Sequence, residues 1–574
     1  MRVVDGVAEL WPHDPDVDDE LIEACERLGW PAAGNLVAAG EAVGATVALL
    51  GVVAASLGGV LALLPLGIAL GVVPVLVARQ APITGADLAA TRAVGDAPAL
   101  FGRLTLRLRV EPSLERAVGF AGDTGTGALA ASLDDHARRA RGTPKTGLSA
   151  FAASWGDRAP AIERAAAVVV DAADAPPEAR ERGCERALAA VRTGVEERAA
   201  SFSGEIRGPL TGLYAFGVLL PLALVGVLPA ARLAGVNVGI GTLAALYVVL
   251  LPCGLVGASG WLLAQRPISF PPPQIDSDHP DVPDRRQSAW VVGIVAGSAA
   301  GVVCLPFLTW AAPIAAVGAG TGGALLWLFG PARERRRAVR DVESGLPDAL
   351  ALVGRSVADG VAMERALATT AAELPGATGA LLTDAAERGE QLGLSTEDAF
   401  FGRFGAFEDT PSQRIRVAGE LYSLAATEGA PAGDALVAAG DHLRELRRVE
   451  REARRELATI TGTLSNTAAL FGPLVGGVSV AMVGRLPADA GGSLAGSTSG
   501  EGATGAAGAA TLDVASLGPV VGVYVLLLAA ILTGLATALE RGLDRSLLGY
   551  RIGLAVPTAT GAYVAAVVAA ETVL

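Results

Sequence analysis

Residues 287–332 read QSAWVVGIVAGSAAGVVCLPFLTWAAPIAAVGAGTGGALLWLFGPA, forty-six positions without one Asp, Glu, Lys or Arg. A helix rising about 1.5 Å per residue crosses roughly 30 Å of hydrocarbon with about 20 apolar residues, so this stretch predicts a membrane hairpin. Buried core helices of soluble proteins hold shorter apolar runs, of about 14 residues at most. Six more windows lack charge in the same way: 42–78, 208–231, 233–265, 457–484, 514–539 and 552–570. The 37-residue window 42–78 is long enough for a second hairpin, which brings the expected number of crossings to about nine.

The composition fits this reading. The chain of 574 residues is 51% hydrophobic and 18% charged, with a mean hydropathy of +0.46. The seven windows hold 213 residues, and the remaining 361 carry all 104 charges. Such apolar content excludes a disordered chain, and four cysteines exclude a disulfide scaffold.

Orientation follows from Lys and Arg in short connections, because positive residues resist translocation. The linker 266–286 holds Arg266, Arg285 and Arg286, and the loop 540–551 holds Arg541, Arg545 and Arg551, so both are expected in the cytoplasm. The Gly/Ala/Ser-rich segment 485–513 reads as an external loop, after which parity places the charged segments 79–207 and 333–456 in the cytoplasm. Residues 1–41 are acidic and read as a cytoplasmic arm with a short amphipathic helix near 21–28, and the C terminus is expected outside. Trp261, Trp290, Trp310 and Trp327 lie near ends of apolar helices, where interfacial anchoring explains them.

The order of hairpin, charged segment and two crossings occurs twice and is followed by one extra helix, which indicates duplication. Leu114-Glu115-Arg116-Ala117-Val118 recurs as Met363-Glu364-Arg365-Ala366-Leu367, an offset of 249 that also maps Phe151 onto Phe400, Trp155 onto Phe404 and Asp171 onto Glu420. Both charged segments show apolar residues at three and four spacing, as in Leu346, Leu350, Val353 and Val357, and predict helical bundles. The second has a basic base, with Arg333 to Arg340 at its start and Arg447 to Arg455 at its end. The fold class expected is thus all-α: a polytopic membrane protein with two repeated cytoplasmic helical bundles.

No catalytic constellation assembles. His13, His136, His279 and His442 are scattered, and no His or Cys pair has metal-ligand spacing. The stretch 142–147 fails the spacing of a phosphate loop, so neither a cofactor nor a metal is expected, and the chain reads as a non-enzyme. A repeat-built transporter or channel is the rival class, but such proteins place ionisable groups within the membrane and these windows have none. Small residues stand there instead, with Gly293, Gly297 and Gly301 at four spacing and Gly472 with Gly476, as close helix packing requires.

The second charged segment resembles the type II secretion system F family, the polytopic platform proteins of type IV pili, archaella and Tad pili. Gly360 with Glu364 and Ala366-Leu367, then Ala399-Phe400 with Phe404, Ala418-Gly419-Glu420, Glu428-Gly429 and Ala435-Leu436 follow the family order. The first copy departs from it, with Val170-Asp171 in place of Gly-Glu and Pro176-Pro177 following. The resemblance spans roughly residues 40–550 and is closest to the archaeal and Tad-type branch. It implies a scaffold in the cytoplasmic membrane, partnered by a hexameric secretion ATPase, by pilin or archaellin-like subunits and by further copies of itself, and not by nucleic acid. On that resemblance Glu115, Arg116, Phe151, Asp171, Glu364, Arg365, Phe400 and Glu420 are the expected docking positions. The single lysine, Lys145, among 45 basic residues and the net charge of −14 suit the salt-rich cytoplasm of a halophilic archaeon.

Overall fold

The computed structural model describes residues 11, 15–28, 30–57, 71–72, 74–83, 85–86, 95–125, 127–141, 146–156, 159–233, 239–264, 283, 285–407, 412–484 and 514–573. Among them every regular element is a helix, and seven helices are long and apolar enough to cross a membrane. The chain is a multi-span helical membrane protein. Of the expected hairpin 42–78, residues 58–70 and 73 lie outside the described ones. Its first arm belongs to a helix that begins earlier than the charge-free window, at Ala33. The arms touch where side chains are small: a Cβ on Gly40 would meet that of Ala78 at 2.5 Å. The loop 485–513 and most of the linker 266–286 also lie outside the described residues.

After α1 (Asp19–Leu28) and α2 (Ala33–Leu57), the first module runs α3 (Ala97–Val110), α4 (Leu114–Thr124), α5 (Ala128–Ala140), α6 (Gly147–Trp155) and α7 (Pro160–Ala173). It closes with α8, which continues from Pro177 to Leu228 and so carries the chain into the apolar part. Next come α9 (Ile240–Leu263), α10 (Arg286–Cys304) and α11 (Ala312–Ala358). The second module consists of the end of α11 with α12 (Met363–Glu373), α13 (Ala377–Leu392), α14 (Thr396–Phe401), α15 (Gln413–Glu428) and the start of α16 (Ala430–Val483). Two apolar helices, α17 (Val514–Arg541) and α18 (Arg545–Val573), complete the chain.

The modules share local geometry as well as order. α4, α5 and α6 begin 249 residues before α12, α13 and α14, respectively. Gly127 before α5 and Gly376 before α13 both have positive φ, 93° and 88°, which only glycine adopts without strain. Thr146 caps α6 by accepting from the Ser149 amide, and Ser395 caps α14 by accepting from the Asp398 amide. Each module has its own apolar core, one built around Phe101, Leu129 and Phe151, the other around Leu350, Phe400 and Tyr422.

The apolar bundle is arranged around α17, whose Leu517, Val521, Tyr524, Val525 and Leu528 are fully enclosed. α10 is peripheral. Its buried residues are Ala289, Gly293, Gly297, Gly301 and Cys304, one stripe at about four spacing, while Trp290, Ile294 and Val302 are 76%, 66% and 66% exposed. A contiguous apolar face of this kind belongs against lipid tails rather than water. The glycine stripe faces the return helix: a Cβ at Gly297 would stand 2.6 Å from the Ala316 carbonyl oxygen, so the backbones meet directly. In α16 a Cβ at Gly472 would stand 3.1 Å from the Thr467 carbonyl oxygen of its own helix and one at Gly476 would make ordinary contacts, while a Cβ at Gly477 would stand 2.6 Å from the Tyr563 carbonyl oxygen. Trp310, in the turn Thr309–Ala311 before α11, is half-buried and packs its ring edge-on against Tyr563.

Among the described residues three π-helical turns interrupt the apolar helices, at Ala215–Leu219, Ala245–Leu250 and Thr467–Phe471, each two residues before a proline: Pro221, Pro252 and Pro473. Proline lacks an N–H and its ring pushes on the carbonyl four residues back, and a wider turn relieves that clash. The orphaned carbonyl is satisfied from outside the helix: Tyr524 donates its hydroxyl to the Gly217 oxygen. The turns at 215–219 and 467–471 occupy matching places in the two halves, just inside the membrane end of each module.

Candidate functional site

The expected docking positions fall into three environments. Glu115, Arg116, Asp171, Glu364 and Arg365 are exposed. Glu115 and Glu364 each lie in the first turn of a helix, where a carboxylate is stabilised by the helix dipole, so a local structural role accompanies their exposure. Arg116 pairs with Glu111 at 2.5 Å, and Glu364 accepts from the Thr396 hydroxyl at 3.4 Å.

Phe151 and Phe400 are 0% exposed, so a partner cannot touch either ring in this conformation. Phe400 stacks on Tyr422 with ring centres 5.6 Å apart and lies 4.6 Å from Phe407. The aromatic residue that does reach solvent is Phe404, 62% exposed beyond the break at Gly402, and Leu392 at the end of α13 is 56% exposed. These are the only large exposed apolar side chains among the described residues of either module. Arg388 donates to the Phe404 carbonyl at 2.7 Å, and the Glu364 to Thr396 bond draws the start of α12 to the α13–α14 turn. In the first module the matching residue, Trp155, is half-buried and donates its indole N–H to Ser132 at 3.2 Å. The repeat register marked Phe404; that it alone is exposed depends on tertiary packing.

Glu420 faces the other module. Its carboxylate lies 4.0 Å from the Arg103 guanidinium, itself only 4% exposed, and neither Glu420 Oε2 nor Arg103 Nε has a hydrogen-bond partner. Burial raises the Glu420 carboxyl and lowers the Arg103 guanidinium, and their mutual attraction offsets this in part. Arg107 adds an ion pair with Glu428 at 3.1 Å, Arg192 one with Glu445 at 3.3 Å, and Leu106 enters the second module's core. Nearby, Asp96 is pushed up to about 6 by burial, with Arg103 opposing. Burial likewise lowers His442 to about 4, although its ring bonds to the Pro98 backbone.

Between the modules and the near end of the apolar bundle lies a cavity of about 1040 Å³. Its lining draws on α3, α11, α15 and α16, and on Arg541 and Leu547 at the α17–α18 connection. In and beside its wall, a polar network ties the second module to the bundle. Glu343 accepts from the Ser412 hydroxyl at 2.6 Å, Arg414 reaches Glu450 at 3.0 Å, and Glu540 accepts from Thr461 at 2.6 Å and pairs with Arg551 at 3.1 Å. Arg336 and Asp544 form a buried ion pair, and Asp544 also caps α18 through the Ser546 and Leu547 amides. Among the described residues no group of His, Cys, Asp or Glu is arranged to hold a metal.

Comparison with protein families, with curated proteins and with solved structures finds no match to this chain.

Proposed function

We propose that the protein is an integral platform of a type IV pilus-, archaellum- or type II secretion-like machine, which couples a cytoplasmic hexameric ATPase to the movement of pilin-like subunits out of the bilayer. The observation that carries this reading is the repetition of one helical module, each copy leading directly into membrane-length helices. α11 alone runs 47 residues, about 70 Å, from the apolar bundle to the top of the second module. α16 returns without a loop. A push at the remote end of such rods reaches the membrane part without passing through flexible chain. Both modules lie on the cytoplasmic side, where the positive-inside rule puts the arginine-rich ends of α11 and α16. With the hairpin expected at 42–78, the seven described spans would make nine crossings.

The exposed patch of Leu392 and Phe404, beside Glu364 and Arg388, is the ATPase-facing surface in this reading. Apolar side chains ringed by charge are the usual anchors of a protein interface. The test is genetic and biochemical. Deleting the gene should abolish surface filaments while prepilins accumulate in the membrane, and the full-length chain in detergent should retain the secretion ATPase encoded in the same genome. Normal piliation in the deletion strain would sink the platform reading.

A further inference from the structure

The cavity between the modules has an electrostatic character that the rest of the chain does not share. The protein carries a net charge of −14, yet ten arginines and three carboxylates line this one space. The carboxylates are Asp96, Glu343 and Glu450, and the last two are already engaged by Arg414. Among the described residues, Arg340, Arg451 and Arg541 have no carboxylate within ion-pair range. They come from three different helices, α11, α16 and the end of α17, so no single helix surface explains their convergence.

Positive-inside anchoring accounts for arginines that point outward into headgroups or water. It does not account for arginines gathered around one half-open cavity, where each disfavours the charge of the others. The Arg340 guanidinium is lowered by burial, with Arg454 and Arg337 adding to the effect, and Arg447 is lowered by burial with Arg414 and Arg451 contributing; Glu343 and Glu450 oppose both shifts in part. Such an arrangement is unfavourable when empty of anions and becomes favourable around a multiply charged one. Guanidinium forks match phosphate oxygens in geometry, two parallel N–H donors to two oxygens, which carboxylates alone or water do not replace. The volume, about 1040 Å³, admits a group larger than a single ion.

We infer that this cavity is a binding site for a phosphate-bearing polyanion, held by Arg340, Arg451 and Arg541 at the junction of both modules with the apolar bundle. The ligand bridges the second module to the α17–α18 connection and to α3 of the first, so its occupancy stiffens the joint between soluble and apolar parts. The same phosphate chemistry reaches the site from two sources. A phospholipid headgroup enters from the bilayer side, beside Arg541 and Leu547; a soluble phosphorylated metabolite enters from the aqueous side.

The experiment uses the full-length protein purified in a neutral detergent. In one arm, native mass spectrometry follows retention of added phosphatidylglycerol against phosphatidylcholine of the same chain length. In the other, thermal unfolding is followed as inorganic pyrophosphate is titrated at fixed ionic strength with sodium chloride as the control anion. Preferential retention of phosphatidylglycerol, without a pyrophosphate effect, assigns the lipid source; a saturable upward shift of the unfolding midpoint with pyrophosphate, absent with chloride, assigns the soluble one. Either response should weaken at least tenfold in the Arg340→Gln, Arg541→Gln double variant. The charge-retaining Arg340→Lys, Arg541→Lys variant should keep part of it, and serves as the folding control should the glutamine variant aggregate. No discrimination between the two lipids together with no pyrophosphate shift overturns the inference. Binding that the glutamine variant leaves unchanged overturns it equally. Neither result bears on filament assembly, so the site and the platform reading stand or fall separately.

Discussion

The two modules begin from one plan and differ in how they meet their surroundings. The second is framed by two helices, α11 and α16, that run without a loop into the apolar bundle, and its base is pinned there by Arg336 with Asp544 and by Glu540 with Thr461 and Arg551. The first enters the bundle through α8 alone among its described helices, and much of its remaining contact is to the second module through Arg103, Arg107 and Arg192. Its surface exposes no large apolar side chain among the described residues, whereas the second exposes Leu392 and Phe404. The second module thus has the stiff connection and the exposed apolar pair, and the first turns its polar contacts toward the second. Equal folds therefore do not mean equal surroundings.

The sharpest way to break this contrast is at the base of the second module. Replacing Arg336 with Ala leaves the Asp544 carboxylate buried without its cation, and losing one partner of a buried pair costs about 3–5 kcal/mol. Chemical unfolding in detergent should show that loss, and hydrogen exchange should place it in α11 and the α17–α18 connection. A variant as stable as the parent would mean that the pair is not what secures the joint.

Core truncations ask whether the modules are separate units. Phe151→Ala and Phe400→Ala each remove a fully buried ring, and each should cost about 3–5 kcal/mol, in the range of buried aromatic truncations. Exchange should rise within residues 97–205 for the first and within 346–466 for the second. If Phe151→Ala opened the second module as widely as the first, the division into two cores would be wrong.

A smaller effect on stability and a larger one on binding are expected at the exposed patch. Phe404→Ala and Leu392→Ala should leave unfolding within about 0.5 kcal/mol of the parent, as surface changes usually do. The pair together should weaken retention of the ATPase about tenfold or more, as loss of an interface anchor worth about 2 kcal/mol implies. Trp155→Ala in the first module should not weaken it. Equal losses from both modules would restore a symmetric docking scheme.

What the sequence made legible was whatever repeats or lacks charge. The membrane windows stood out because an ionisable group there is costly, and the 249-residue register reached as far as glycine conformation, since Gly127 and Gly376 fill the same left-handed position. The docking positions were less legible. Phe400 and Phe404 are four residues apart and would share a helix face, but α14 ends at Phe401 and the turn at Gly402 separates them into core and surface. Glu420 sits in the Gly419-Glu420 step, and only tertiary structure brings Arg103, more than 300 residues away, against it. The arginines at both ends of the second segment were visible as a basic base; that they close around a cavity required the third helix, which brings Arg541.

The smallest expected effect concerns pH and the contact between modules, where two half-buried groups are displaced in opposite directions. Asp96 has its carboxyl raised from 3.8 to about 6, so the folded protein holds a proton that the unfolded chain releases. Its contribution to stability is present below about pH 4 and is lost as pH rises through about 6. His442 is lowered from 6.5 to about 4, so the unfolded chain takes up a proton that the folded one refuses; stability is full above 6.5 and is lost as pH falls toward 4. One site changes stability by at most about 1.4 kcal/mol per pH unit, and between pH 4 and 6 these two slopes oppose each other. Asp96→Asn should make stability rise more steeply with pH than in the parent across that window, and His442→Gln should make it rise less steeply or fall. Other carboxylates titrate there too, but they are common to all three proteins and cancel in the differences. Unfolding midpoints measured at half-unit steps decide it: slopes that shift in the same direction for both variants would show that these groups do not stand in the opposed environments the module contact gives them.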